Sequence, residues 1–390
     1  MDQNKKPRKF ADWSDEERLR HLNFRMIRTV DTKKVQVALD HLYKTAGTAP
    51  EGDGCFVLGE TGAGKTTAVR MFTDDKYREF RTKDPSGIWY RPTVAGTDLA
   101  PIVQKTENGV HRPLAVALVN PRPRFLSFLA DTAAALQVDL PKRVKFAEAC
   151  TEVSRALEEQ RVKMIIFDEA QHIIDGNMDA YGAADVFKLF AKSRVQVVCV
   201  GLPHAEALGR INSQLERLVQ EKCIIAPMQC SVSDFPEINA SGKVVGREVR
   251  SKTPFRRFLE AVDHRDGINS VLPFDAPSNL STPDMALRIH QAGEGYVGKM
   301  MKLIQQAAAL AVFDGTDRIT RQHLAEALRK RTRCPDSENW FLLETSEMKE
   351  LFGTVRSKAK ATEEKRREEE IQKYEKKTRR RVVDALAGRK

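Results

Sequence analysis

The chain has 390 residues, 41% of them hydrophobic and 31% charged, so it is long and apolar enough for two or three domains with buried cores. No apolar run approaches the ~20 residues that a membrane-spanning helix needs, and the polar N-terminus does not resemble a secretory signal, so we expect a cytoplasmic protein without membrane contact. The net charge is +11, and residues 355–390 contribute +7 of it, from fourteen basic and seven acidic side chains. This balance is compatible with nucleic acid or an acidic partner and proves neither.

The six cysteines predict buried, reduced thiols. No two of them have the CxxC spacing of a metal or redox site, and several lie in apolar, strand-like runs. Neither a zinc site nor a disulfide framework is therefore expected.

Residues 1–48 predict a helical N-terminal extension. WSDEERLRHL places Ser14 at an N-cap position and Glu17 three residues later, which is the pattern of a capping box. TKKVQVALDHLYKTA predicts a second helix, and a loop then leads to the first buried strand.

Five apolar runs predict the strands of a parallel sheet. They are apolar throughout and are separated by helical stretches, which is typical of strands that helices cover on both faces. IWYRPTVAGTDLAP, between the first two, predicts either an irregular segment or a hairpin. We therefore predict an α/β core with a five-stranded parallel sheet over residues 49–250. The five runs are CFVLG (55–59), LAVALVN (114–120), MIIFD (164–168), VQVVCVG (195–201) and KCIIAPM (222–228).

The rest of the chain predicts helices and then a charged tail. Four amphipathic stretches between residues 254 and 333 indicate an all-helical lid domain over 251–335. Residues 336–390 are predicted to form a charged C-terminal tail, in which the final segment ATEEKRREEEIQKYEKKTRRRVV is almost free of apolar anchors and predicts a solvated helix or a disordered tail. This tail could contact a partner or DNA, or it could only solubilise the chain.

Residues 59–66 read GETGAGKT, which fits GxxxxGK followed by Ser or Thr, the pattern of a phosphate-binding loop. A buried strand precedes the loop and a helix follows it. The glycines let backbone N–H groups converge on phosphate oxygens at the positive end of the helix. Lys65 would reach the β- and γ-phosphates of ATP, and the Thr66 hydroxyl would bind Mg²⁺. The residues predicted to bind ATP here are Gly59, Glu60, Thr61, Gly62, Ala63, Gly64, Lys65, Thr66 and Thr67.

Two adjacent carboxylates end the apolar run MIIFD. We expect Asp168 to hold Mg²⁺, mainly through water, and Glu169 to polarise the attacking water as a general base. The following DEAQH resembles a helicase DEAH box only superficially, because the glutamine is extra and no second helicase core follows. His172 is expected to be an ordinary polar residue.

Regulated hydrolysis calls for a polar sensor and for an arginine donated by a neighbouring subunit. The strand over 195–201 continues into Leu202 and Pro203, so the usual sensor asparagine or threonine is absent. Arg217, just before the last core strand, is the candidate arginine finger acting in trans, and Arg210 is the second candidate. A solvated arginine on a helix is the alternative for both.

Together these motifs resemble the AAA+ ATPases. A finer series resembles the TniB/TnsC group, the ATP-dependent regulators of DNA transposition in Tn7-like and Tn5053-like elements. The resemblance covers roughly residues 10–335. The series consists, in chain order, of WSDEERLRHL, LAVALVNPRPR, DEAQHI, VVCVGLP, NSQLERL and GEGYVGKMMKLIQQAA.

The resemblance implies a bacterial, DNA-associated ATPase that uses hydrolysis of ATP to ADP and phosphate as a regulatory switch. It implies homo-oligomeric rings or helical filaments on double-stranded DNA without sequence preference, a DDE transposase (TnsB/TniA-like) as partner, and a TniQ-like targeting protein. Lys299 matches the second sensor of the family, near the γ-phosphate; a lysine facing solvent is the alternative. DNA-facing residues, in loops that line the inner surface of the oligomer, would be Arg122, Arg124, Lys142, Arg143 and Lys145; ordinary surface charge is the alternative for each.

Two other functions remain open. One is a different AAA+ DNA ATPase, such as a helicase loader or replication initiator, although residues 334–390 are too short and polar for the DNA-binding module that an initiator carries there. The other is a small-molecule nucleotide kinase, against which the carboxylate pair and the helical lid both argue. An effect of duplex DNA on the ATPase rate would exclude a kinase.

Overall fold

A computed structural model describes residues 9–22, 26–175, 180–211, 213–230, 237–238, 244–245, 253–264 and 270–344, and single residues in the C-terminal segment. The larger part of the predicted charged tail therefore lies outside the described residues. Within these ranges, none of the helices combines the length and the apolar character that crossing a bilayer requires.

The described residues form thirteen α-helices and nine strands. The helices are α1 (Asp15–Leu22), α2 (Val30–Thr45), α3 (Lys65–Lys83), α4 (Phe125–Ala135), α5 (Phe146–Glu159), α6 (Gln171–Asp175), α7 (Ala180–Lys192), α8 (Ala207–Ile211), α9 (Ser213–Leu218), α10 (Pro254–Val262), α11 (Pro283–Gly293), α12 (Val297–Phe313) and α13 (Arg321–Thr332). The strands are β1 (Gly54–Leu58), β2 (Ile88–Tyr90), β3 (Ile102–Thr106), β4 (Gly109–Leu118), β5 (Met164–Asp168), β6 (Gln196–Gly201), β7 (Val219–Ile224), β8 (Glu237–Ile238) and β9 (Val244–Val245).

By their packing, the residues divide into two compact units. The sheet unit contains the described residues of 30–225, and the helical unit contains those of 9–29 and 226–344. The N-terminal extension predicted over residues 1–48 is therefore divided between them. The reason is packing: α1 contacts α12 in the helical unit, whereas α2 lies against α3 in the sheet unit.

The sheet unit is built on a seven-stranded sheet with the strand order β2-β3-β4-β5-β6-β1-β7. Strands β4, β5, β6, β1 and β7 are parallel, which confirms the predicted parallel sheet among helices. The register pairs Leu58 of β1 with Gly201 of β6, and Leu118 of β4 with Asp168 of β5. The carboxyl ends of the parallel strands therefore meet along one edge of the sheet.

Two antiparallel strands, β2 and β3, extend the sheet beyond the five predicted strands. β3 and β4 form a hairpin in which Thr106 pairs with Gly109, so the connecting turn contains only Glu107 and Asn108. Gly109 has φ 127°, a conformation that favours glycine. The Asn108-Gly109 pair between two strands is a recognisable hairpin signal, and it places the hairpin after IWYRPTVAGTDLAP rather than within it.

The core of the sheet unit is apolar and rich in aromatic side chains. Phe128 of α4 packs against Phe167 of β5 with ring centroids 5.0 Å apart, and Phe187 and Phe190 of α7 contact the same ring. Because Phe167 directly precedes the two acidic residues, this packing fixes the strand end that carries them.

The helical unit has its own core, formed by α10 to α13 with α1. The capping box predicted for α1 is confirmed: Ser14 N donates to Glu17 Oε2 at 2.8 Å, and Glu17 N donates to Ser14 Oγ at 3.3 Å. The segment before α1 is held by an aromatic cluster in which the ring of Phe10 contacts those of Trp13 and His21.

Residues 339–343, called here the C-terminal strap, fold onto the helical unit although they fall within the predicted charged tail. Phe341 is fully buried. Arg288 donates to the carbonyls of Trp340 and Leu343, and Arg321 donates to those of Phe341 and Leu343. These arginine contacts extend the ordered helical region past the predicted boundary at residue 335.

Candidate nucleotide site

The phosphate-binding loop lies between β1 and α3, as the sequence predicts. Gly62 and Gly64 have φ 81° and 100°, which a residue with a side chain rarely adopts. A Cβ added to Gly59 would lie 2.8 Å from the carbonyl oxygen of Ile225, so no side chain fits there. Because α3 begins at Lys65, its first-turn N–H groups face the loop and can receive an anion.

The Lys65 ammonium is held by the loop itself. Its Nζ donates to the carbonyl oxygens of Gly59 at 2.7 Å and Glu60 at 3.1 Å. Burial lowers the pKa of Lys65, and the nearby carboxylates of Glu169, Asp168 and Glu60 oppose this effect. The lysine is therefore a partly desolvated cation that faces the two predicted acidic residues.

Asp168 is the last residue of β5, and its side chain is buried, with 4% exposure for the residue. Thr97 Oγ1 donates to Asp168 Oδ2 at 2.6 Å, and the backbone N–H of Glu169 donates to Oδ1 at 3.0 Å. Burial raises the pKa of Asp168, while the Thr97 hydrogen bond acts in the opposite direction. Sequence reasoning missed Thr97, which lies in the segment predicted as irregular or a hairpin.

Glu169 follows with a left-handed backbone, φ 57°, and an exposed side chain. The Gln171 amide donates to Glu169 Oε2, and Gln171 Oε1 accepts from the backbone N–H of Leu202 at 3.2 Å. The glutamine that sets DEAQH apart from a helicase motif is thus a direct partner of the predicted base.

The site fits Mg²⁺. The Thr66 hydroxyl and the Asp168 carboxylate are hard oxygen donors, and Mg²⁺ is usually bound by one or two carboxylates together with substrate phosphates. No cluster of three or more His, Cys, Asp or Glu side chains suited to a metal occurs among the described residues, and all six cysteines are free thiols. The donors near the phosphate loop are therefore those expected for a metal that arrives with ATP.

The other predicted nucleotide contacts lie apart in the chain. Arg217 is exposed on α9, directly before β7. The Arg210 side chain lies outside the described residues. Lys299, in the first turn of α12, donates to Glu294 Oε2 at 2.6 Å and lies 4.9 Å from the ring centre of Tyr296. The roles proposed for these cations stay predictions.

The predicted DNA-facing residues lie in two loops, one preceding α4 and one preceding α5. Phe125 at the start of α4 and Phe146 at the start of α5 have ring centroids 6.2 Å apart, so the loops preceding the two helices are neighbours. All five predicted basic residues are exposed, and none forms an ion pair with another described residue. We call the five basic side chains, together with the two phenylalanines, the basic–aromatic patch. They are Arg122, Arg124, Phe125, Lys142, Arg143, Lys145 and Phe146.

Comparison with known proteins supports the same class. Residues 51–208 match a family model described as an AAA domain. The structure of the ORC2 protein of Aeropyrum pernix, in ADPNP-ADP complexes, is 13% identical with a TM-score of 0.50, covering 89% of this chain and 73% of that one. The ORC1 protein of Aeropyrum pernix in complex with DNA is 15% identical with a TM-score of 0.49, covering 82% and 71%. A search of curated proteins found no match.

The chain has an AAA+ P-loop fold with a helical C-terminal region. The match to an AAA domain supports nucleotide binding and ATPase activity in general. The strand–loop–helix around Lys65 and the acidic pair at the end of β5 lie within the matched residues. The finer resemblance to the TniB/TnsC group is not confirmed by these comparisons and stays a prediction.

Proposed function

We propose that the chain is an ATP-dependent regulator of DNA transposition that assembles on duplex DNA and is reset by ATP hydrolysis. The observation that carries the ATPase part is the grouping of Lys65, Asp168 and Glu169 at the carboxyl edge of the sheet. The transposition part rests on the ordered motif series that resembles the TniB/TnsC group.

Each residue of the site has a distinct task in hydrolysis. The loop N–H groups and Lys65 bind the phosphates, for which Lys65 must leave the carbonyls of Gly59 and Glu60. Thr66 and Asp168 would hold Mg²⁺, which supplies positive charge to the transferred phosphoryl group when bound. Glu169 accepts the proton of the attacking water. Because the site is partly desolvated, the electrostatic interactions of these residues with the nucleotide are stronger than in water.

The basic–aromatic patch is the proposed DNA contact. Its exposed arginines and lysines suit phosphates, whose contacts position a protein on DNA without reading its sequence. Such binding fits a protein that must accept arbitrary target DNA. The proposed assembly is a ring or filament in which Arg217, exposed on α9, reaches the nucleotide of a neighbouring copy, with a DDE transposase and a TniQ-like protein as partners.

A second candidate is a replication initiator or helicase loader. The fold likeness to the ORC2 protein, which spans 89% of this chain, favours it. The two functions separate in a reconstituted reaction: a transposition regulator stimulates strand transfer by a DDE transposase, whereas a loader or initiator places a replicative helicase on DNA.

The first test is electron microscopy of the protein with random-sequence duplex DNA. With a slowly hydrolysed ATP analogue we expect DNA-coating rings or filaments, which ADP and the Lys65→Ala variant do not support. Glu169→Gln should retain assembly with ATP and lose most turnover, because general-base catalysis contributes about 10²–10⁴-fold.

The patch is tested by the salt dependence of DNA binding. The Arg122→Ala/Arg124→Ala variant should bind less tightly, and the slope of log K against log salt should fall by about 0.9 for each lost phosphate contact. The matched control is Arg78→Ala/Arg81→Ala, two exposed arginines on α3. Equal slopes in the two variants would show that the patch does not contact DNA. In the electron microscopy, monomers under all conditions would contradict the proposed assembly.

A further inference from the structure

We propose that Gln171 is a positioning residue that holds Glu169 toward the phosphate loop and ties it to the end of β6. This inference rests on the proposed ATP hydrolysis, in which Glu169 is the base. It assigns a role to the residue that separates DEAQH from a helicase motif.

The orientation of the Gln171 amide is fixed by its partners. A backbone N–H can only donate, so the contact with Leu202 N at 3.2 Å places the amide oxygen toward β6. The NH₂ group must then point to Glu169 Oε2, to which it donates. Because Gln171 is only 4% exposed, water has little access to replace either partner.

Gly201 provides the space for this arrangement. A Cβ at Gly201 would lie 2.7 Å from Gln171 Oε1 and 3.1 Å from Gln171 N. An asparagine or threonine at this strand end would therefore displace the glutamine amide from its present position. The absent sensor residue and the extra glutamine are two aspects of one arrangement, in which the polar group that faces the base comes from α6 instead of β6.

The geometry favours a productive position of Glu169. Among the three carboxylates that raise the pKa of Lys65 against the effect of burial, that of Glu169 acts most strongly, in keeping with a side chain near the phosphate loop. The hydrogen bond donated by Gln171 orients this carboxylate. It occupies Oε2 and leaves the other oxygen able to accept from water.

A substitution of Gln171 should therefore act on the chemical step and not on nucleotide affinity. Gln171→Met keeps the side-chain size and removes both hydrogen bonds. We expect kcat to fall about 10- to 100-fold, the range for a lost hydrogen bond to a charged group, while KM and the Kd for a fluorescent ADP analogue stay unchanged. Gln171→Glu keeps the acceptor for Leu202 and places a like charge beside Glu169, so kcat should fall at least as far.

A double-mutant cycle distinguishes positioning from general structural support. If Gln171 acts through Glu169, Gln171→Met should cause no further loss in single-turnover hydrolysis once Glu169→Gln is present. The matched control is Gln104→Met, because Gln104 of β3 also donates to a carboxylate, Asp84 Oδ2, at 2.7 Å. This variant should keep the wild-type kcat.

The outcomes separate the inference from the proposed function. If Glu169→Gln stops hydrolysis but Gln171→Met or Gln171→Glu keeps or raises the wild-type kcat, the positioning role is overturned and the ATPase stands. Additive losses in the double variant also overturn it. Absence of hydrolysis by the wild-type protein, with and without DNA, overturns the proposed function itself.

Discussion

Arg288 in the helical unit and the pair Lys65 and Asp168 in the sheet unit are charged groups held partly or wholly away from solvent, but their charges are satisfied differently. Arg288 in the helical unit is fully buried, and its guanidinium donates to Asp284 and to two carbonyls of the C-terminal strap. In the sheet unit, Lys65 is half-buried and Asp168 is buried beside the phosphate loop, and burial shifts the pKa of each in the direction that favours its neutral form.

The difference teaches how to separate structural from functional burial. A buried cation whose donors all meet protein acceptors joins segments of the fold, as Arg288 joins α11 to the strap. When burial shifts the pKa of a charged group so that the neutral form is favoured, the protein compensates the charge incompletely. A ligand of opposite charge would then stabilise the charged form. A bound phosphate would supply the negative charge that Lys65 lacks, and Mg²⁺ would supply the positive charge that Asp168 lacks.

The largest expected stability effect follows from removing the structural charge. Arg288→Met leaves the carbonyl of Trp340 without its arginine donor and removes one of the two arginine donors to Leu343, so we expect the free energy of unfolding to fall by about 3 kcal/mol. Urea denaturation followed by tryptophan fluorescence measures the change. Arg329→Met is the control, because Arg329 of α13 forms only partly exposed ion pairs, with Glu326 and Asp336. Equal stability of the two variants would contradict a structural role for Arg288.

Removing a functional charge should have the opposite sign. The pKa of Asp168 is raised in the folded protein, so its ionised form costs stability at neutral pH and this cost disappears as the pH falls below the raised value. Asp168→Asn should therefore raise the melting temperature at pH 7 by about 2–4 °C for each kcal/mol regained, and the gain should shrink in acid. A loss of stability at pH 7 would show that the protein already compensates this carboxylate.

The smallest expected effect concerns Thr97. Its hydroxyl lowers the pKa of Asp168 against the effect of burial, so Thr97→Val should raise that pKa further. Because Mg²⁺ requires the carboxylate, the acid limb of kcat/KM for ATP should move to higher pH. Thr82→Val is the control, since the Thr82 hydroxyl bonds only a carbonyl of its own helix. An unchanged acid limb would show that Thr97 does not influence Asp168.

The parts of the fold and site that the sequence predicted are those with local signatures. A buried parallel strand is apolar at every position, so β1, β5 and β6 stand out as continuous runs. The phosphate loop needs glycines at fixed offsets before Lys65, and the acidic pair follows directly on a strand. Each of these signals lies within about ten consecutive residues.

The parts that were missed depend on contacts between distant segments. Thr97 meets Asp168 across 71 residues, and Gln171 meets Leu202 across 31, so no local pattern marks either contact. The C-terminal strap falls within the predicted charged tail, although residues 340–343 form a short apolar run, WFLL. Its burial depends on Arg288 and Arg321, which the periodicity of α11 and α13 does not distinguish from surface arginines.

The close fit between Gly201 and Gln171 has a consequence for how this sequence can diverge. A Cβ at position 201 would lie 2.7 Å from Gln171 Oε1, so a side chain there would displace the glutamine amide from its present position. Substitution of either residue alone disturbs the contact. A sequence that acquires a polar sensor residue on β6 therefore passes through a variant with impaired hydrolysis, unless both positions change together. The two positions should therefore be inherited as a pair, and descendants should keep either the glutamine with its glycine or a polar strand residue with a smaller partner.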